Sequence, residues 1–202
     1  MKTVEVFADV RCPFTHVGLR RLVEQRTLRG VDVRLRVRAW PLELVNGAGL
    51  DAGLIAEEVD ALRSQVAPDL FAAFDADAFP SSSLPALGLA AAAYDRDIRL
   101  GERVSLALRD AFFEEGRDIA KQDELDRVAA SVGLPPGLNA VESVHADWHE
   151  GQARGVIGSP HFFVDETSFF CPALDIDRIN GHLRITPSRS TFDAFIDECL
   201  AT

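Results

Sequence analysis

Cys12 is followed directly by Pro13 and Phe14, with Thr15 three residues on and His16 four. A proline costs nothing at the first helical position, because its missing N–H would be unpaired there and its φ already suits the helix. Cys12 then falls at the N-cap, where free backbone N–H groups and the positive end of the helix dipole favour a thiolate. The thiolate is the nucleophilic form of cysteine. Thr15 and His16 share the face of Cys12. The Thr15 hydroxyl can donate to a thiolate, and a protonated His16 would favour it electrostatically. The alternative is a half-buried small hydrophobe, the state of most free cysteines.

The elements that must position this turn are readable on both sides of it. Val4, Val6 and Phe7 suit a buried strand. The helix after Cys12 should run from Pro13 to about Arg29, with Leu19, Leu22 and Val23 as its apolar stripe and Gly30 as its end. Val31 to Ala39 alternates: Val31, Val33, Leu35 and Val37 on one face, Asp32, Arg34, Arg36 and Arg38 on the other. That is a strand with one wet face. Strand, helix and strand at this spacing form a βαβ unit with parallel strands. Trp40-Pro41-Leu42 then leaves the sheet.

After a break at Asn46–Gly53 the signals are helical, around 54–67, 84–96, 99–115, 122–132 and 138–154. Ser81-Ser82-Ser83 offers an N-cap for the second of these. His145 and His149 are spaced four apart, a spacing that can ligate a metal, but no third ligand stands at a fixed spacing. A polar helix face beside Val141, Val144 and Trp148 is the preferred reading, with no metal. Strands return at His161–Val164 and Thr167–Cys171, joined at Asp165-Glu166. Antiparallel counting from Val164 opposite Thr167 sets Cys171 opposite Pro160. Asp175–Asn180 reads as a short helix and Ser190–Leu200 as a longer one. Phe192, Phe195, Ile196 and Cys199 share a face of the latter, so Cys199 should be a core thiol. The fold class is α/β with a helical insertion, divided as 1–47 and 155–202 around 48–154.

A net charge of −11 argues against nucleic acid or an acidic membrane as partner. No apolar run approaches a membrane span. The chain opens on a strand rather than a basic and then apolar leader, and its three cysteines are odd in number and scattered. A cytoplasmic protein without a disulfide framework is expected. The apolar content of the insertion is compatible with a homodimer.

Asp9-x-x-Cys12-Pro13-x-x-x-x-Gly18, then Gly155-Val156-x-Gly158-Ser159-Pro160-x-Phe162-Phe163-Val164, with a helical run between them, resemble the DsbA-like thioredoxin superfamily. Within it the chain is similar to FrnE-type cytoplasmic proteins, and more distantly to hydroxychromene carboxylate isomerases and kappa-class glutathione transferases. The resemblance implies a thioredoxin-like fold with a large helical insertion, and a redox-active Cys12 in an active-site loop formed with Pro13, Phe14 and Thr15. It also implies a cis-proline at Pro160, and a Ser159 whose backbone pairs with an extended thiol substrate. Oxidoreductases of the family carry Cys-x-x-Cys, and here Thr15 replaces the second cysteine. Isomerase and transferase relatives generally carry Ser where this chain has Cys12.

Three enzymatic readings follow. In the first, Cys12 performs monothiol exchange on a small-molecule or protein disulfide. No cofactor is bound, and glutathione or another low-molecular-weight thiol acts as cosubstrate. In the second, Cys171 serves as a remote resolving thiol, against the simpler role of a small residue lining the pocket. In the third, the site is kappa-like: Trp40, Phe14 and the inserted helices wall a pocket for an apolar molecule, and Thr15 and Ser159 orient a thiol cofactor. A binding module with an inert thiol is the non-enzymatic alternative.

Overall fold

In the computed structural model, which describes residues 2–201, β1 (Thr3–Ala8) is buried on both faces. Val4, Val6 and Ala8 join one apolar cluster, while Phe7 meets Trp40 and Val156 on the other side. The chain passes through Asp9–Cys12 into α1 (Pro13–Arg29), with Cys12 at the N-cap. Gly30 ends the helix at φ 63°, a left-handed conformation that suits a residue without Cβ. β2 (Arg34–Ala39) pairs in parallel with β1, Thr3 opposite Arg34 and Ala8 opposite Ala39. Its Arg face is half-buried rather than freely solvated. Arg38 is held between Glu5 at 2.7 Å and Asp147 at 2.8 Å, because a helix of the insertion lies over this strand.

Between β2 and β3 the chain forms α2 (Leu42–Asn46), α3 (Ala52–Gln65), α4 (Leu84–Tyr94), α5 (Ile98–Phe113), α6 (Gln122–Ser131) and α7 (Val141–Ala153). The Ser82 hydroxyl accepts from the Leu84 N–H at 3.1 Å at the start of α4. The inserted helices share one apolar cluster with Val10, Val17, Ala39 and Cys171, so they pack onto the sheet and α1. Gly151 of α7 sits against Trp40, where a Cβ would fall 2.5 Å from the indole.

After α7 the chain re-enters the sheet as β3 (His161–Val164), antiparallel to β1, and returns as β4 (Thr167–Phe170). Val164 stands opposite Thr167, and the strand order is β2-β1-β3-β4. The Ser159–Pro160 peptide is cis. Beyond this the reading of Asp175–Asn180 as a helix is overturned. β5 (Leu174–Ile179) and β6 (His182–Pro187) form a separate antiparallel hairpin. Its turn is Asn180-Gly181, with φ of 50° and 85°. Two positive φ values in succession define the tight turn whose twist matches a hairpin, and Asn-Gly is the pair that favours it. α8 (Arg189–Leu200) closes the chain, with Phe195, Ile196 and Cys199 fully buried. Among the described residues no helix is long and apolar enough to cross a membrane.

Candidate active site

Cys12 is buried, with 4% of its surface exposed. Its Sγ donates to the carbonyl oxygen of Ser159 at 3.1 Å. The Ser159 hydroxyl lies 2.9 Å from that of Thr15 and accepts from the Asp9 N–H at 3.0 Å. The residue before Pro160 is therefore fastened to the first turn of α1 and to the end of β1. Burial pushes the Cys12 thiol above its ordinary pKa, while the Thr15 and Ser159 hydroxyls and the Thr15 backbone N–H pull it back in part. Burial thus works against the acidified N-cap thiol expected from the sequence, because excluding water disfavours the charged form.

The loop is braced from below by buried charge. Asp9 accepts from the backbone N–H groups of Arg11 and Leu42, both at 2.8 Å. The Arg11 guanidinium, fully buried, donates to Glu43 at 3.1 Å and to the Pro80 carbonyl at 3.2 Å. Arg109 of α5 reaches the Asp9 carbonyl at 3.2 Å, and burial lowers its pKa to about 10.

A cavity of about 360 Å³ opens beside Sγ. Cys12, Pro13, Phe14, Ser159 and Cys171 line it together with Leu42 of α2 and with Leu50, Ile55 and Glu58. The Cys171 N–H donates to the Pro160 carbonyl at 3.0 Å, the pairing counted from the hairpin. Cys171 is buried, held at φ 43°, and its pKa is pushed up to about 12 by burial. Glu58 makes no hydrogen bond among the described residues, and burial raises its pKa to about 7.

A family model for the DsbA-like thioredoxin domain matches residues 3–184. The chain belongs to the DsbA-like thioredoxin family. Solved structures share the fold of this DsbA-like chain. A probable DsbA oxidoreductase from Streptomyces coelicolor is 17% identical over 98% of this chain and 90% of its own, with a TM-score of 0.66. The cytosolic disulfide reductase DsbM from Pseudomonas aeruginosa with GSH is 16% identical over 96% and 97%, with a TM-score of 0.61. A 2-hydroxychromene-2-carboxylate isomerase is 16% identical over 83% and 88%, with a TM-score of 0.60. No curated protein matches the sequence.

Two residues expected at this DsbA-like site face elsewhere. Trp40 is not part of the cavity wall; it packs edge-on against Phe7 at 6.3 Å, under α7. His16 turns away from Cys12 into an aromatic nest of Phe71 and Phe113. There its Nε2 bonds Glu114 at 2.6 Å, and burial lowers its pKa, so it does not present a proton to the sulfur. Glu114 also accepts from the Phe71 and Ala72 N–H groups, both at 2.9 Å, and its pKa falls to about 2. His149 pairs with Gln152 at 3.1 Å, and His145 meets Trp148. Among the described residues no three metal-ligating side chains gather.

Sequence reasoning missed Glu58, Arg11 and Arg109. For Glu58 a signal existed: it falls three residues after Ile55 and four before Leu62, on the apolar face of α3. A carboxylate among core positions is the informative departure from pattern.

Proposed function

We propose that this DsbA-like protein is a monothiol thiol–disulfide oxidoreductase of a reducing cytoplasm. The observation that supports it is the position of Sγ. Cys12 lines a cavity and its Sγ is bonded to the Ser159 carbonyl, with Thr15 in the place where the resemblance puts a second cysteine in dithiol relatives. In the first step the Cys12 thiolate attacks one sulfur of a disulfide R–S–S–R′. A bond forms between Sγ and the sulfur of R, and R′S⁻ leaves and takes up a proton. In the second step a low-molecular-weight thiolate attacks the sulfur of R, forming a new disulfide and returning Cys12 as thiolate. Glutathione or another small thiol fills that role as cosubstrate, and no bound cofactor takes part.

The test is peptide mass spectrometry after mild oxidation with and without a small thiol. A small-thiol adduct on Cys12 that added thiol removes is the expected result. A Cys12–Cys171 crosslink would replace the monothiol scheme with a remote dithiol pair. An unmodified Cys12 under all conditions would overturn both.

A second reading has one observation in its favour. Phe14, Leu42, Leu50, Ile55, Phe170 and Ile176 give the cavity an apolar wall that suits a small hydrophobic molecule, as a kappa-type transferase or isomerase would need. Retention of turnover on such a molecule by a Cys12→Ser variant would favour it.

A further inference from the structure

The charge of the Cys12 cavity bears on which small thiol enters it. No Lys or Arg lines the cavity among the described residues, and its one charged side chain is Glu58. Glu58 is half-buried on α3 and has no hydrogen-bond partner to neutralise it. Three neighbours bear on its charge. Glu57 beside it on the same helix is repulsive. Across the cavity stands Cys12, which feels the Glu58 charge directly. Arg178 of β5 is the one attractive neighbour. It is already engaged by Glu57 at 3.0 Å and the Gly181 carbonyl at 2.8 Å. On the far side Asp175 adds negative charge next to Cys171.

A carboxylate-bearing ligand needs hydrogen-bond donors, best a guanidinium, to replace the water it loses, and a nearby like charge opposes it. Glutathione carries two carboxylates and a single ammonium. This cavity offers such a ligand a carboxylate instead.

We propose that Glu58 makes the Cys12 cavity select neutral or cationic thiols over anionic ones such as glutathione. The inference rests on the monothiol reading and deepens it. It assigns Glu58 as a specificity-determining residue and narrows the cosubstrate to thiols without net negative charge. Like charges inside a partly desolvated pocket repel far more than in bulk water, and the repulsion is screened by salt.

The experiment starts from the mixed disulfide of Cys12 with pyridine-2-thiol, its position verified by peptide mass spectrometry. The added thiolate attacks Sγ, a Cys12–thiol disulfide forms and pyridine-2-thione leaves; this release is followed on adding glutathione, 2-mercaptoethanol or cysteamine at pH 8.5, with each rate taken per thiolate and relative to that thiol's rate with 2,2′-dipyridyl disulfide. The expected order is cysteamine, then 2-mercaptoethanol, then glutathione, with a spread on the order of tenfold. The spread narrows in high salt with the native protein, collapses in Glu58→Gln and inverts in Glu58→Lys. Glutathione matching or exceeding 2-mercaptoethanol, or an order unchanged by salt and by Glu58→Gln, would overturn the assignment. Failure of any thiol to release the adduct, or of the adduct to form, is a different result. It removes the monothiol reading and takes this inference with it.

Discussion

The hydroxyls of Thr15 and Ser159 lie 2.9 Å apart, joining the first turn of α1 to the residue before Pro160. Thr15 thereby pins the Ser159 segment beside Sγ of Cys12.

Replacing that hydroxyl therefore has two separable effects. Thr15→Val should raise the Cys12 pKa further, since the Thr15 hydroxyl is one of the groups that lower it. It should also cost about 1 kcal/mol of stability. Thiolate absorbance against pH and urea unfolding read the two effects. Thr15→Cys restores Cys-x-x-Cys and should shorten the life of a Cys12 mixed disulfide, because a neighbouring thiol can now expel the adduct. A longer-lived adduct in that variant would contradict the monothiol account.

Cys171 provides the control. With its pKa pushed up to about 12, it is almost wholly protonated at neutral pH and is a poor attacking group. Cys171→Ser should form and lose the Cys12 adduct at rates within about twofold of the native chain. A Cys12 adduct that can no longer be released in Cys171→Ser would instead make Cys171 the resolving thiol.

Glu114 accepts three hydrogen bonds, from His16 and from the Phe71 and Ala72 N–H groups. Phe71 is fully buried at φ 66°, a left-handed conformation that a bulky residue holds only when its surroundings impose it. Glu114→Ala leaves those donors unpaired and should lower stability by about 2–3 kcal/mol. Because the His16 ring is held by Glu114, and His16 meets Cys12 through a backbone hydrogen bond to the Cys12 carbonyl, the rate of adduct formation per folded molecule should change little. Denaturant melts and alkylation kinetics on one preparation measure both.

The pH dependence of stability follows from Glu58. Its folded pKa, about 7, lies above the ordinary 4.5, so the folded state holds the proton over a range where the unfolded chain has released it. Stability is then greatest below pH 4.5 as far as this group is concerned, and declines as pH rises to about 7. Solvent screening of a half-buried group limits the loss to about 2 kcal/mol or less. The difference in stability between Glu58→Gln and the native chain, followed from pH 4 to 8, should grow in favour of the variant. A flat difference would show that Glu58 titrates normally.

The parts legible in the sequence are those governed by local rules. The Cys12 N-cap, Pro13 at the first turn and Gly30 at the end of α1 follow from backbone requirements that neighbouring residues express. The pairing of Cys171 with Pro160 followed from counting out of one turn. What was not legible depends on residues far apart. His16 shares a helix face with Cys12, but Glu114, 98 residues on, captures its ring. Trp40 leaves the sheet as expected, yet Gly151 of α7 opens the space it fills, away from the cavity. The β5–β6 hairpin is a different kind of miss. The Asn180-Gly181 turn was a local signal, and Asp175 and Asp177, of a type depleted in strands, hid β5 on one side of it.

Arg11 and Arg109 bear on how this molecule comes apart. Between them they tie the loop before Cys12 to Glu43, to the Pro80 carbonyl and to α5. Neither guanidinium can be left behind dry if its acceptors depart. Peeling the inserted helices off the sheet would therefore strand two cations and unravel the Cys12 turn in the same event. Native-state hydrogen exchange should accordingly find the amides of α5 and of the Cys12 turn opening as a single foldon, with no sub-global state that keeps one and loses the other.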